Sequence, residues 1–180
     1  MATTKLLFTI LLTSCFVAPN FIPSKAASVP PKPGAPAAQV TSLCEKNEHI
    51  VFSCVLKRTA KWVALCSSQN LDKDHGYLQY RFGLPGKIEL EFPKGRQSTQ
   101  QVFRYSHYFR FQVDLTEVNF AIEGYQYSVF DNYNGEEKPS ISEQGVKITP
   151  PGKGREVTYV CQGKAKADYT SLQGALPSEP

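Results

Sequence analysis

The chain lacks the short motifs that signal catalysis by spacing alone. There is no G-x-S-x-G nucleophile elbow, no HExxH and no C-x-x-C. PGKGRE (151–156) holds a Gly-Lys pair without the spacing or the Ser/Thr of a phosphate loop, so it reads as a hairpin turn. Zinc needs close-set ligands, yet gaps of nine, eleven and ninety-four residues separate Cys44, Cys54, Cys66 and Cys161, and His49, His75 and His107 are scattered. DNYNGEE (131–137) misses the frame of a calcium loop. No metal and no cofactor is expected. Charge of one sign is also scarce: Lys and Arg number 20 against 16 Asp and Glu, a net charge of +4. Lys5 and Lys25 are the charged residues of the first 27, so the rest carries 18 against 16. That balance is too weak for a dedicated nucleic-acid binder.

The N-terminus reads as an export signal. Lys5 precedes the apolar run Leu6–Leu12, and no acid occurs before Glu45. The run is too short for a bilayer span of about 20 residues, and Pro19 breaks any helical extension of it. Two processing readings compete. In one, residues 1–27 are a cleaved signal peptide ending in Ser24-Lys25-Ala26-Ala27. In the other, Leu12-Thr13-Ser14-Cys15 is a lipobox, and Cys15 becomes the lipidated first residue of an outer-membrane lipoprotein. The first makes the protein periplasmic or secreted. In the second, Cys15 is its one membrane contact. Residues 28–43 come next as a Pro/Ala-rich linker, because Pro fixes φ and donates no backbone hydrogen bond.

Four cysteines remain for the folded part, an even number that fits a disulfide framework in an oxidising space. Of the three pairings, Cys44–Cys66 with Cys54–Cys161 is preferred. A hairpin around 57–61 would return Cys66 to the start of the first strand, near Cys44. Cys161 ends the last strand and could staple it to the first. Each bridge would stabilise by roughly 2–4 kcal/mol.

The body reads as strands almost throughout. HIVFSCVL (49–56), WVALC (62–66), GYLQYRFG (76–83) and KIELEFP (87–93) are β-branched, aromatic or alternating. QVFRYSHYFRFQV (101–113), VNFAI (118–122), YQYSVF (125–130), GVKIT (145–149) and REVTYVC (155–161) continue the series, with a polar loop at 131–143. The fold class is all-β, a small antiparallel barrel or sandwich of eight or nine strands stapled by disulfides. Trp62 is expected in its core. The folded domain runs over 44–162, and 163–180 lacks periodicity and reads as a flexible polar tail.

Candidate chemistry is sparse. Glu89 and Glu91 share a strand face at glycosidase-like spacing, but they alternate with Ile88, Leu90 and Phe92 and fit the solvated side of a half-buried strand. RYSHYFRFQ (104–112) is the most unusual stretch. Its parity sends Tyr105, His107, Phe109 and Phe111 toward the core and Arg104, Tyr108 and Arg110 outward, with Arg81 and Gln79 extending the outer patch. Arg and Tyr on one exposed face suit recognition, because both give large contact area with polar tips. The 131–143 loop is a second candidate contact.

VFSC (51–54), ALCSS (64–68), GYLQYRFG (76–83), ELEFP (89–93) and GYQYSV (124–129) resemble a group of uncharacterised exported proteins of Gram-negative bacteria. The resemblance covers most of 44–162 and implies location and a β-fold, not an activity. A looser likeness links the chain to periplasmic lysozyme inhibitors, small disulfide-bearing barrels in which Cys54 and Cys161 would pair early and late strands. Their Ser-Gly-x-x-Tyr inhibitory loop is not matched; His75-Gly76-Tyr77 is a distant echo. The expectation is therefore a non-enzymatic binding protein of the bacterial envelope, an inhibitor, immunity or accessory factor. Its partner would be a protein or envelope component rather than nucleic acid. The alternatives are a structural surface component and a glycan-acting hydrolase.

Overall fold

The computed structural model describes residues 41–96, 99–152 and 154–178. The expected signal segment, Cys15 and the linker up to residue 40 lie outside them. The described residues form ten strands: β1 Glu48–Val55, β2 Trp62–Ser68, β3 Leu78–Leu84, β4 Lys87–Phe92, β5 Arg104–Arg110, β6 Val113–Ile122, β7 Tyr125–Asn134, β8 Ile141–Thr149, β9 Val157–Val160 and β10 Lys166–Ala167. They form two five-stranded antiparallel sheets, ordered β10-β1-β2-β3-β4 and β5-β6-β7-β8-β9. Most neighbours are successive in sequence, as short turns between period-2 segments require. Glu123 and Gly124, both at positive φ, make the tight β6–β7 turn.

One core draws on both sheets. Phe52, Leu65 and Tyr80 of the first pack with Val118, Phe120 and Val129 of the second. Tyr80, Phe120 and Tyr127 lie ring to ring, with centroids 5.0–5.9 Å apart. Burial of each such side chain stabilises by roughly 1.5–3 kcal/mol. The two expected disulfides are present, Cys44–Cys66 and Cys54–Cys161. The second stands where an isolated bridge, Leu56 with Cys161, joins the end of β1 to the end of β9. Lys57 N–H donates to Val160 at 2.9 Å, and Gln162 N–H to Val55 at 2.6 Å. Two disulfides fit an oxidising, extracytoplasmic environment. No helix among the described residues is long and apolar enough to cross a membrane.

Three expectations need correction. Trp62 is only half-buried and sits outside the main core, on the outer face of the first sheet with Leu43, Ala64 and Cys66. Parity explains it: Val63 and Leu65 take the inner face, so Trp62 and Ala64 must take the outer one. The 131–143 loop shrinks to 135–140, because β7 runs on to Asn134 and pairs it with Ile141.

The third concerns 163–180. Far from forming a mobile tail, this segment is packed as far as 178. Ala167 pairs with Phe52, and Leu172 and Leu176 enter the core. Leu172, Ala175 and Leu176 are buried at i, i+3, i+4 spacing around a 3-10 turn, Thr170–Leu172. One turn is too short for its periodicity to show against a polar background.

Candidate functional site

Register across the second sheet shows where its inner face changes character. One row reads Tyr105, Val118, Val129, Val146 and is mostly core. The next reads His107, Thr116, Asp131, Gln144, and the one beyond it Phe109, Asp114, Tyr133, Ser142. The same parity that supplies core valines thus supplies carboxylates and an imidazole in the rows beyond. The C-terminal segment closes one side. Tyr105, His107, Asp114, Thr116, Asp131, Tyr133, Tyr169, Thr170 and Gln173 enclose a cavity of about 290 Å³.

Its polar groups are unequally satisfied. His107 Nε2 lies 2.9 Å from Asp114 Oδ1. No Lys or Arg lines the cavity beside Asp131. Burial pushes its carboxyl above the usual range and the charge of Asp114 adds to this, while hydrogen bonding from Gln144 and the charge of Lys164 oppose it. The Tyr169 hydroxyl is closed off from solvent beside Asp131 and makes no hydrogen bond of normal geometry. Burial raises its phenol, and the charge of Asp131 reinforces the shift.

Beyond the cavity lies an aromatic tip. Phe109 is 71% and Phe111 83% exposed, with Tyr108 and Tyr133 also open. Arg110 is paired with Glu136, its Nη2 lying 2.6 Å from Oε2, and Gly135 N–H donates to Gln112 at 2.7 Å. The β5–β6 hairpin and the 135–140 turn are therefore tied together. The two stretches that the sequence singles out as candidate contacts form one surface here.

The predicted outer patch does not survive intact. Arg81 is 2% exposed. Its five N–H groups go to Glu48 twice, to Gln79, to Glu91 and to the Leu43 carbonyl. It holds the N-terminal segment and offers nothing to a partner. Arg104 is exposed, but its Nη1 donates to the Gln101 and Phe103 carbonyls at 2.7 and 2.9 Å. Tyr108 and Arg110 remain on the surface with the tip. The inward set is also corrected. Tyr105 and His107 are half-buried or open at the cavity, whereas Phe109 and Phe111 stand in solvent, because none of the described residues covers that end of the sheet as Val118 is covered.

Glu89 and Glu91 face two different cations, Lys61 and Arg81, so the pair carries no shared site. Cys44, Glu48 and Cys66 bring three potential ligand atoms within 4.8 Å, but the two sulfurs are bonded to each other and Glu48 is held by Arg81. Sequence reasoning missed Asp114 and Tyr169, and it put Asp131 in a polar contact loop rather than on the inner face of a strand. The aspartates do carry a signal: in DLTEVNF and YQYSVFDNY they share parity with Val118, Phe120 and Val129, a charge on the core side of a strand.

The fold and this cleft define a disulfide-stapled all-β protein of two antiparallel sheets with an open, acidic, tyrosine-lined end. No protein-family model matches the chain, and no curated protein or solved structure matches it.

Proposed function

We propose that the protein is an exported, non-enzymatic binding protein of the bacterial envelope, its two sheets stacked as an open sandwich and its partner a protein. The observation that carries this is the braced aromatic tip. Phe109 and Phe111 stand in solvent on a hairpin fixed by the Arg110–Glu136 pair. Large rings held rigidly in water are costly unless a partner covers them, and aromatic anchors dominate binding energy at interfaces. The disulfides support an extracytoplasmic site of action. Plain secretion is favoured over lipidation at Cys15, and palmitate labelling lost on Cys15→Ser would reverse that choice.

The test uses a photo-crosslinking residue at position 111 of the mature chain, with position 87 on the other sheet as control. One envelope protein should be captured at 111 and not at 87. Phe109→Ala with Phe111→Ala should weaken its binding at least tenfold, about 1.4 kcal/mol or more, without lowering Tm, since both rings are exposed. Equal capture at both positions counts against the reading.

Asp114 and Asp131 in one cavity favour a second reading, hydrolysis of a glycan by paired carboxylates. Turnover of purified peptidoglycan, abolished by Asp131→Asn, would replace the binding reading with it. The binding reading expects no turnover.

A further inference from the structure

We propose that the cavity between β5, β6, β7 and the C-terminal segment receives an arginine side chain of the protein partner; this rests on the binding reading above. The lining supplies two carboxylates, one imidazole and three tyrosine rings, with neither Lys nor Arg among them. Asp114 and Asp131 are diagonal neighbours on adjacent strands, since Asp131 stands opposite Thr116. That places them roughly 7–8 Å apart, two like charges facing one space. His107 serves Asp114 from β5. The groups around Asp131 are Asp114 and Thr116 on β6, Gln144 on β8, Tyr169 in the C-terminal segment and Lys164 after β9. Asp131 also lines a second cavity, together with Lys57, Gln144 and Lys164, and the charge of Lys164 reaches it from there rather than from the lining of the first.

The occupant's chemistry comes from these positions. His107, Asp114 and Asp131 do not bring three ligand atoms within 4.8 Å of one another, which disfavours a compact metal ion. A planar guanidinium is broad, donates in several directions and stacks on tyrosine rings. At about 290 Å³ the cavity falls just below the usual range of small-molecule sites, roughly 300–1,000 Å³, and suits one side chain better than a larger ligand. The source is argued from continuity. Phe109 pairs in register with Asp114, and Asp114 with Tyr133, so the cavity mouth runs directly into the aromatic tip. A polypeptide lying on the tip would bring a side chain to the mouth. Burial of Asp131 adds a pH signature: protonation of its raised carboxyl should weaken binding at a higher pH than an ordinary aspartate would.

Chemical-shift titration of the mature chain with blocked Gly-Arg-Gly, Gly-Lys-Gly and Gly-citrulline-Gly tests this. The Arg peptide should shift Tyr105, Thr116 and Tyr169 saturably, at least tenfold more tightly than the uncharged citrulline peptide, with the Lys peptide between them. Asp131→Asn should reduce Arg binding to the citrulline level. That variant removes a half-buried charge and should keep or raise Tm, so loss of folding will not mimic loss of binding. Equal affinity for the Arg and citrulline peptides, no saturable shift, or full Arg binding by Asp131→Asn overturns the inference. Tighter binding of methylguanidinium than of the Arg peptide overturns it in favour of a free small cation. If a partner captured at position 111 binds Asp131→Asn undiminished, the inference fails and the binding reading stands. Arg selectivity with no partner captured removes that reading and, with it, the assignment of the arginine to a partner.

Discussion

Arg81 takes the Glu48 carboxylate in a two-pronged grip, Nη1 to Oε2 at 2.5 Å and Nη2 to Oε1 at 2.8 Å, with both side chains closed to water. The pair lies on the outer face of the first sheet, under the segment that Cys44–Cys66 ties down. Tyr77 Oη donates to the same carboxylate at 2.9 Å, and the Glu45 N–H at 2.6 Å. A fully bonded buried pair contributes little net stability over an apolar filling, but losing one member leaves the other charged and unsolvated.

Arg81→Met should therefore destabilise the protein by about 3–5 kcal/mol in urea unfolding, through the orphaned Glu48. Adding Glu48→Leu should recover much of that loss. A single variant that unfolds like the wild type would show that the pair is not buried in solution.

Acid should act on the buried Glu48 and the half-buried Asp131 in opposite ways. Burial pushes Glu48 up, but hydrogen bonds from Arg81, Glu45 and Tyr77 outweigh it and hold its carboxyl below 4.5. Its stabilisation is complete above that pH and is lost as pH falls through the lower folded value. Asp131, raised above 3.8, works against the fold when ionised, and that penalty lifts as pH falls through its raised value. Asp131→Asn should thus raise Tm at pH 7, with the gain shrinking as the solution is acidified toward about pH 4. Paired thermal melts across this window check both signs.

Removing the C-terminal contacts should be costly. Leu172 is completely buried in the shared core, and Leu172→Ala should lose about 2–5 kcal/mol. The exposed Lys166→Ala, a few residues away, should cost under about 0.5 kcal/mol. Equal small effects at both positions would restore the view of a loose tail.

The two disulfides should differ in worth. Cys54–Cys161 spans 107 residues and Cys44–Cys66 spans 22. In the chain-entropy account the longer loop confines the unfolded chain more, by about 1.4 kcal/mol. Replacing each pair with Ala and comparing urea midpoints should place the Cys54/Cys161 variant lower.

How much of the fold is legible in the sequence varies with the range of the interaction. The nine strand segments stand out because period-2 alternation is local. The disulfide pairing is legible because hairpin geometry constrains which sulfurs can meet. Arg81 shows where parity stops. It assigns Arg81 and Gln79 to one face, and that is where they lie, but it cannot tell that residues 41–48 cover that face. Asp114 and Asp131 escape detection when one strand is begun at Val118 and the next ended at Phe130. Both aspartates then fall outside the alternating segments whose parity they share.

By itself the sequence determined the β-class, the hairpin order and the chemistry available on each strand face, since these depend on neighbours within a few residues. Which faces are covered was decided only by tertiary packing. Residues 41–48 close over Arg81, the C-terminal turn reaches back to wall in Asp131, and among the described residues nothing covers the end of the second sheet beneath Phe109. Burial is set by contacts between residues distant in the chain, and no local period records them.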